Sequence, residues 1–295
     1  MDRRNDKQKT ESLTAVFKRA TALILVFALL FASAAAASVA IELRNKNNKN
    51  IHTGTPAADL GLKPADILSA GDGTAGTVLT ETEAVPDTYF ADTVFLGDSI
   101  TTGFMLYKVF EDFIQVAKIG TNTESVFTDE IEIDGVKYTM FDAIVDHYRP
   151  QKIYIMLGAN GINTYPVDWL IEKYGILIDQ LLTRLPGCSI VIQSITPVTR
   201  EREAKDPEHY SLANIHDFND KLKTMALSRG LYFLDVYSAV ADAEGYMPDA
   251  IAASDGYHMI TEGYELWHRY IVTHTIRGGS AFAFTQEGLL KGASA

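Results

Sequence analysis

A serine, a histidine and a carboxylate stand at positions where they could transfer an acyl group. A short apolar run, 93–96, is followed by Gly97 and Asp98 and then by Ser99. Asp255 and His258 lie three residues apart, near the end of the chain. A serine hydroxyl becomes a nucleophile when a histidine takes its proton, and a carboxylate can hold that histidine in the required tautomer. These residue types predict Ser99 as nucleophile, His258 as base and Asp255 as its partner.

Acyl transfer also needs donors for the negative charge that develops on the carbonyl oxygen. Two further residues follow apolar runs and could supply them. Gly120 comes shortly after the run 113–117, and Asn160 comes shortly after the run 152–157. The backbone N–H groups of Ser99 and Gly120 and the side-chain amide of Asn160 are therefore predicted to form an oxyanion hole.

Short apolar runs alternate with segments of helical period from about residue 87 onward. The runs predict five strands, at 93–96, 113–117, 152–157, 189–194 and 231–236. Helices are predicted at 141–149, 167–184, 212–228 and 261–275, and an Asp-Gly turn predicts a hairpin of 130–133 with 136–139. This alternation is typical of a parallel sheet covered on both faces.

The right-handed crossover rule turns this pattern into a three-layer, doubly wound α/β/α fold with a five-stranded parallel sheet. Such sheets bind ligands beyond the carboxyl ends of their strands. Ser99, Gly120 and Asn160 follow the first three strands, so we expect them at that edge together with Asp255 and His258.

Each of these residues also has an ordinary structural interpretation. Ser99 alone could be the N-cap of a helix, a common position for serine after a strand. His258 alone could be a polar loop residue, and Asp98 is expected to be a hydrogen-bonding residue of the turn. Convergence at one sheet edge favours catalysis for Ser99 and His258.

Three aromatic residues near these positions, Tyr165, Trp169 and Tyr257, either line a cleft or belong to the core, and the sequence leaves both open.

Four segments resemble the four blocks of the SGNH/GDSL hydrolase (esterase/lipase) family, in the same order. They are GDSIT (97–101), Gly120, LGAN (157–160) and DGYH (255–258), within a resemblance that covers about 88–275. The resemblance implies a flavodoxin-like SGNH hydrolase fold and a serine esterase that needs no cofactor.

Carried over by matching position, the family roles are nucleophile for Ser99, oxyanion donors for Gly120 and Asn160, base for His258 and its partner for Asp255.

One position departs from the family pattern. The family often has aspartate after the asparagine of the third block, whereas this chain has Gly161. The resulting G-x-N-G sequence resembles exported SGNH O-acetyltransferases that act on cell-wall sugars. The G-x-S-x-G elbow of α/β-hydrolases is absent from the sequence, which argues against that other serine hydrolase family.

Composition limits the other classes of function. The formal net charge of −12 argues against a nucleic-acid partner, which would require a basic face. The single cysteine, Cys188, rules out an internal disulfide and a multi-cysteine metal site. His209 and His216 lie near several acidic residues, but their spacing fits no common zinc pattern. We expect neither a metal nor a cofactor.

The N-terminal part has the pattern of a membrane anchor. Residues 1–19 are rich in lysine and arginine, and the uncharged stretch 20–41 is long enough to span a bilayer as a helix. The basic flank should remain cytoplasmic, which places the remainder outside the cell. Small residues at 34–40 leave a cleavable signal peptide, and hence a secreted protein, as the alternative.

The remaining boundaries follow from composition. Residues 42–86 are predicted to be an extracellular tether, 87–277 the hydrolase domain, and 278–295 a C-terminal tail. The lead-in at 87–99 also resembles membrane-anchored members of the family from Gram-positive bacteria.

These features together predict an exported serine ester hydrolase. The expected substrate is a small acyl ester or an acylated polysaccharide, with acetyl groups removed from cell-wall or extracellular carbohydrate through an acyl-enzyme on Ser99. Two alternatives stay open: an O-acyltransferase with the same serine, histidine and aspartate, and a non-catalytic carbohydrate-binding module.

Overall fold

A five-stranded parallel sheet forms the centre of the fold. The computed structural model describes residues 76–110, 112–162 and 164–276. The strands of the sheet are β1 (Thr93–Gly97), β2 (Ile114–Ala117), β5 (Lys152–Met156), β6 (Ser189–Gln193) and β7 (Tyr232–Leu234). They are ordered β2-β1-β5-β6-β7, and every neighbouring pair is parallel. A separate antiparallel hairpin pairs β3 (Glu130–Ile133) with β4 (Val136–Thr139).

Helices connect the strands. They are α1 (Ser99–Tyr107), α2 (Met140–Asp142), α3 (Val167–Arg184), α4 (Arg200–Lys205), α5 (Leu212–Ser228), α6 (Val236–Val240) and α7 (Thr261–Thr273). A π-helical segment, Ala143–Tyr148, continues α2, and short 3₁₀ turns occupy Asp87–Phe90, Ser125–Phe127 and Asp249–Ile251.

The helices cover the sheet as two outer layers. Helices α3 and α5 contact each other, and α7 contacts both α1 and α6. Four of the strands, β1, β5, β6 and β7, are almost entirely buried, as expected for a parallel sheet with helices on both faces, and the edge strand β2 is half-buried. Within this core, the Trp267 indole donates to Gln193 Oε1 at 3.0 Å. The predicted three-layer α/β/α fold with a five-stranded parallel sheet is therefore confirmed.

The strand order reverses between β1 and β5. From β1 the chain moves outward to β2 and then returns to the other side of β1 to form β5. The loops that leave the carboxyl ends of β1 and β5 therefore separate at this point, which is where open α/β sheets form a crevice. Ser99 follows β1 and Asn160 follows β5, so both residues border the crevice.

Two predicted elements differ from the structure. The predicted strand 231–236 ends at Leu234, because the Asp235 side chain accepts from the Ser238 N–H and begins α6. The predicted helix 141–149 begins one residue earlier and widens into a π-helix; it ends at Arg149, whose φ of 47° is left-handed.

Residues 76–85 pair with the fold, although the sequence predicts them as the end of a tether. Leu79 N–H donates to Phe233 O at 2.8 Å, and Phe233 N–H donates to Thr77 O at 3.1 Å. Val85 N–H donates to Val272 O at 3.0 Å. Residues 77–85 therefore hydrogen-bond to β7 and to the end of α7, a pairing for which short-range composition carries no signal.

The other predicted boundaries fall on segments that are not described. The anchor or signal peptide at 20–41 and the tail at 278–295 lie outside the described residues. Among the helices that are described, none combines the length and apolar character needed to cross a membrane.

Asp98 is a fully buried carboxyl group at the end of β1. Its Oδ1 accepts from the Ile100 N–H at 3.0 Å, which makes it the N-cap of α1. Burial is the largest influence on its ionisation and raises its pKa from the ordinary 3.8 to about 7, against the opposing effects of the Ile100 hydrogen bond and the His258 charge. The folded protein therefore holds a proton on Asp98 over a pH range in which the unfolded chain has lost it.

We expect this burial to make stability depend on pH. The folded state binds the Asp98 proton more tightly than the unfolded state, so its contribution is complete below pH 4 and is lost as the pH rises towards 7. Urea unfolding between pH 4.5 and 7.5 should show a free energy of unfolding that falls more steeply with pH in the wild type than in Asp98→Asn. The difference in slope should approach about 1.4 kcal/mol per pH unit.

Asp235→Asn is the matched control, because Asp235 is also an N-cap aspartate that follows a strand. Parallel pH curves for the wild type and Asp98→Asn would contradict the effect assigned to Asp98.

Candidate active site

A continuous chain of hydrogen bonds joins three of the predicted residues. Ser99 Oγ lies 2.8 Å from His258 Nε2. His258 Nδ1 lies 2.7 Å from Asp255 Oδ2. The structure thus brings together a hydroxyl, an imidazole and a carboxylate that are separated by up to 159 positions in the sequence. This geometry allows the imidazole to accept the serine proton while the carboxylate stabilises the resulting positive charge.

The Asp255 carboxylate is fixed by its own turn. Its Oδ1 accepts from the backbone N–H groups of Tyr257 and His258, each at 2.9 Å. Partial burial acts to raise its pKa, but the hydrogen bonds from the His258 side chain and these two N–H groups outweigh it, so the pKa of Asp255 lies below its ordinary value. Asp255 is therefore ionised at neutral pH and is oriented before any substrate binds.

The turn that carries these residues is closed by backbone hydrogen bonds. Ala253 N–H donates to His258 O at 2.8 Å, and Ala252 forms an antiparallel bridge with Met259. On its outer side, Thr199 N–H donates to Gly256 O at 2.9 Å. The turn is held from both sides, and its tip is fixed by the residue that begins α4.

Ser99 is the first residue of α1, and Asp98 is its N-cap. The alternative of Ser99 as a helix N-cap is therefore wrong, because the Asp98 side chain takes that role and leaves the serine hydroxyl for His258. The first N–H groups of a helix have no acceptor within it. Within the described residues, Ser99 N–H has no hydrogen-bond partner and lies at the positive end of the helix dipole.

Gly120 lies in the exposed loop after β2, with a φ of 83°. Its N–H, like that of Ser99, has no partner among the described residues. The loop that contains it also positions Thr121, whose side chain is buried and donates to Asp129 Oδ2 at 2.9 Å. An N–H group without a partner is available to a negatively charged oxygen at this edge of the sheet.

The Asn160 amide connects the loops around the crevice. Its Nδ2 donates to Asp98 Oδ2 at 3.3 Å and to Thr121 O at 3.1 Å. Asp98 precedes Ser99, and Thr121 follows Gly120, so this amide lies between the other two predicted donors. Both of its hydrogens have protein acceptors in this structure, and the longer bond, to Asp98, is the weaker of the two by distance.

Other predicted residues lie apart from this cluster. His209 Nδ1 lies 2.7 Å from Asp206, and His216 Nε2 lies 2.7 Å from the Tyr237 hydroxyl. Among the described residues, no group of three or more histidine, cysteine, aspartate or glutamate side chains has the geometry of a metal site.

A cavity of about 280 Å³ lies beside the Asp255 turn, bordered by Thr199, Arg202 and Lys205 among others. Neither Ser99 nor His258 lines it. The cavity therefore borders the cluster on the Asp255 side, and Asp255 is the one member of the three that lines it.

Two supporting residues were missed from the sequence. The backbone carbonyl of Thr121 accepts a hydrogen bond from the Asn160 amide. Any residue could supply this carbonyl, so the sequence gives no signal of it. Thr199 caps α4 by accepting from the Arg202 N–H at 3.2 Å. Threonine before a charged, helix-favouring segment is an N-cap signal that could have located α4, although its contact with Gly256 joins residues far apart in the sequence.

Comparison with known proteins agrees with this geometry. The family model described as GDSL-like lipase/acylhydrolase matches residues 95–266, which is more than half of the chain. No curated protein matches the sequence significantly.

Several solved structures are similar to this chain. One is a protein from Streptococcus pneumonia, provisionally described as a platelet activating factor, with 21% identity and a TM-score of 0.50; the match covers 61% of this chain and 81% of that one. A lipase/acylhydrolase from Enterococcus faecalis matches with 17% identity and a TM-score of 0.46, covering 61% and 93%. A carbohydrate esterase family 3 protein from Talaromyces cellulolyticus matches with 16% identity and a TM-score of 0.45, covering 61% and 94%.

At these identities the structural likeness concerns the fold. The family follows from the sequence match, which spans the serine loop, the Asn160 loop and the Asp255–His258 turn. The chain belongs to the GDSL-like lipase/acylhydrolase family, the SGNH hydrolases, and is an ester hydrolase.

Proposed function

We propose that this ester hydrolase removes small O-acyl groups, acetyl in particular, from cell-wall or extracellular carbohydrate through an acyl-enzyme on Ser99. The observation that carries the proposal is the hydrogen-bonded chain from Asp255 through His258 to Ser99. A hydroxyl held 2.8 Å from an imidazole nitrogen is placed for proton transfer as it attacks a carbonyl carbon.

The reaction has two halves. Ser99 Oγ attacks the ester carbonyl and gives its proton to His258 Nε2, which then returns this proton to the departing alcohol. Water next attacks the acyl-enzyme and gives a proton to His258. The tetrahedral intermediate collapses, the Ser99 oxygen recovers a proton from His258, and the carboxylic acid leaves.

The developing oxyanion would be stabilised by the N–H groups of Ser99 and Gly120 and by the Asn160 amide. The first two have no partner within the described residues. To join them, Asn160 must turn one amide hydrogen away from Asp98 or Thr121 towards the oxyanion, or share that hydrogen between its present acceptor and the oxyanion. Donors fixed before reaction stabilise the transition state without reorganisation.

Close packing beneath α1 limits where an acyl group on Ser99 can lie. Ile100, Thr101 and Phe104 are buried, and the Tyr264 hydroxyl donates to Ile100 O at 2.7 Å. An acyl chain bound to Ser99 therefore has no room to extend beneath α1, and it must be short or lie along the surface.

The extracellular substrate rests on the N-terminal pattern. The basic segment 1–19 followed by the apolar stretch 20–41 predicts export, with the catalytic residues outside the cell. Acylated carbohydrate is an ester substrate that an exported enzyme would encounter at the cell surface. The domain is expected to be membrane-anchored, or secreted if the N-terminal segment is cleaved.

We expect the three residues to act as a unit in p-nitrophenyl acetate hydrolysis. Ser99→Ala and His258→Ala should each lower kcat by roughly 10⁴-fold or more, because each removes the activated nucleophile. Asp255→Asn should lower kcat by about 10⁴-fold, since the imidazole loses its charged partner. Ser228→Ala is the control, because this serine ends α5 and its hydroxyl donates to Met225 O at 2.9 Å. A wild-type rate in Ser99→Ala would rule out the serine mechanism.

The acceptor of the acyl group is tested separately. Mass spectrometry of a reaction that contains an O-acetylated oligosaccharide and an unacetylated one should show free acetate and no newly acetylated sugar. Transfer of acetyl to the second oligosaccharide would instead identify an O-acyltransferase. Failure of a fluorophosphonate probe to label Ser99 would favour a non-catalytic module.

Gly256 should be essential for placing His258. Its φ is 69°, and a Cβ there would lie 2.4 Å from Thr199 Oγ1 and 3.0 Å from Arg202 Cβ. Gly256→Ala must therefore move the Asp255–His258 turn away from α4, and we expect kcat for p-nitrophenyl acetate to fall at least about tenfold.

Gly135→Ala is the matched control. Gly135 has a φ of 78° in the hairpin turn, but a Cβ there meets nothing within 4 Å. Both variants should lose about 1–2 kcal/mol of stability from the left-handed backbone, whereas only Gly256→Ala should lose activity beyond the unfolded fraction. Equal activity in the two folded variants would show that the contact with Thr199 does not position His258.

A further inference from the structure

Two aromatic side chains form a stack where α3 begins. The Tyr165 and Trp169 rings have centroids 4.4 Å apart and an interplanar angle of 24°. Tyr165 remains 44% exposed, although Trp169 covers one face of its ring. Lys173 Nζ lies 5.1 Å from the Trp169 ring centroid. Trp169 and Lys173 are four residues apart in α3 and lie on one side of the helix, and Tyr165, which precedes the helix, stacks on the Trp169 ring.

The stack is attached to the Asn160 loop. Tyr165 N–H donates to the carbonyl oxygen of Gly161, the residue after Asn160, at 2.9 Å. A Cβ on Gly161 would lie only 2.5 Å from Leu170 Cδ2. The absence of a side chain at position 161, where the family often has aspartate, thus lets α3 pack directly against the loop that carries Asn160.

A second contact attaches the helix to the opposite loop. Lys173 forms an ion pair with Glu124 at 3.4 Å. Glu124 N–H donates to Asn122 Oδ1, and Asn122 follows Thr121, which accepts the Asn160 amide. The aromatic stack is therefore connected from both sides to the residues that surround Asn160.

The polar edges of the stack point away from the hydrogen bonds seen in the part of the chain that the structure describes. Within the described residues, neither the Tyr165 hydroxyl nor the Trp169 indole N–H has a hydrogen-bond partner. The neighbouring Thr164, Pro166 and Asp168 are exposed, so the surroundings are mostly polar. A flat apolar surface with polar edges matches a sugar ring, which has an apolar C–H face and a rim of hydroxyl groups. An acyl chain would leave those polar edges without a partner.

We propose that the Tyr165–Trp169 stack is the platform that binds a pyranose ring of the acylated glycan beside Asn160. The proposal rests on the proposed function, because it assigns a place to the carbohydrate part of that substrate. The sugar ring lies against the exposed face of Tyr165, with its hydroxyl groups at the edge of the stack, and Trp169 supports the opposite face of the Tyr165 ring.

The first test compares two substrates in each variant. The ratio of kcat/KM for an O-acetylated xylo-oligosaccharide to kcat/KM for p-nitrophenyl acetate should fall at least tenfold in Tyr165→Ala and in Trp169→Ala. Trp169→Phe should recover part of the ratio, because it restores the stacked ring. Tyr270→Ala is the control, since Tyr270 stacks on His274 at 3.8 Å and 24° near the C-terminal end of α7. An unchanged ratio in both alanine variants would overturn the proposal.

A binding measurement separates the platform from the reaction. The chain has two tryptophans, and Trp267 is fully buried, so acrylamide quenching of fluorescence reports mainly on Trp169. Unacetylated xylo- and chito-oligosaccharides should lower the quenching constant at least twofold, and Tyr165→Ala should abolish this protection. If neither saccharide protects Trp169 of the wild type from quenching, the platform is overturned.

The two proposals can fail independently. Protection without deacetylation of any oligosaccharide would keep the platform and overturn the proposed substrate. Deacetylation of an oligosaccharide, with no protection of Trp169 from quenching and an unchanged kcat/KM ratio in the alanine variants, would keep the proposed substrate and overturn the platform. A selective loss of activity on long-chain p-nitrophenyl esters in Trp169→Ala would identify the stack as an acyl-chain surface and overturn its assignment to sugar.

Discussion

The side-chain amide of Asn160 holds together the edge of the sheet at which the chemistry is proposed. Three loops meet there, after β1, β2 and β5. Asn160 donates to Asp98 in the first loop and to Thr121 in the second. The amide adds to the backbone bond from Lys118 N–H to Gly97 O at 3.3 Å, which joins the first two loops at the end of the sheet.

This arrangement places competing demands on one group. The amide that fixes the loops is also a proposed donor to the oxyanion, and its second acceptor is a buried carboxyl group. Burial favours the protonated form of Asp98, and a neutral carboxyl group accepts a hydrogen bond less strongly than a carboxylate. A protonated Asp98 therefore makes the Asn160 hydrogen easier to redirect. The buried aspartate lowers the stability of the fold at high pH. It lies next to the Asn160 amide, which has to redirect a hydrogen bond to the oxyanion.

The sequence predicts what depends on local pattern. The bounds of α3 and α5, Val167–Arg184 and Leu212–Ser228, agree with the structure because each combines an apolar period with a clear stop signal. The five strands were visible as apolar runs, and placing Ser99 and Asn160 after two of them was sufficient to locate the crevice.

What the sequence could not predict depends on contacts between distant segments. The pairing of residues 77–79 with β7 joins positions more than 150 apart, and the extended backbone of a polar, alanine- and threonine-rich segment has no apolar period. The hydrogen bond from Thr199 N–H to Gly256 O is likewise a contact between distant segments. Gly161 was recognised as a departure from the family pattern, but only the packing of Leu170 shows that it brings α3 close to the loop.

The pairing of residues 77–79 with β7 has a mechanical consequence. The segment runs parallel to β7, so the chain enters the described fold from the amino edge of the sheet, opposite to Ser99. Tension applied from upstream would act along the strand and load its hydrogen bonds in shear, together with those at Val85 and Val272. These bonds lie away from the loops around Asn160. A pull on the N-terminal side would therefore strain the edge of the sheet before it disturbed the serine and its partners.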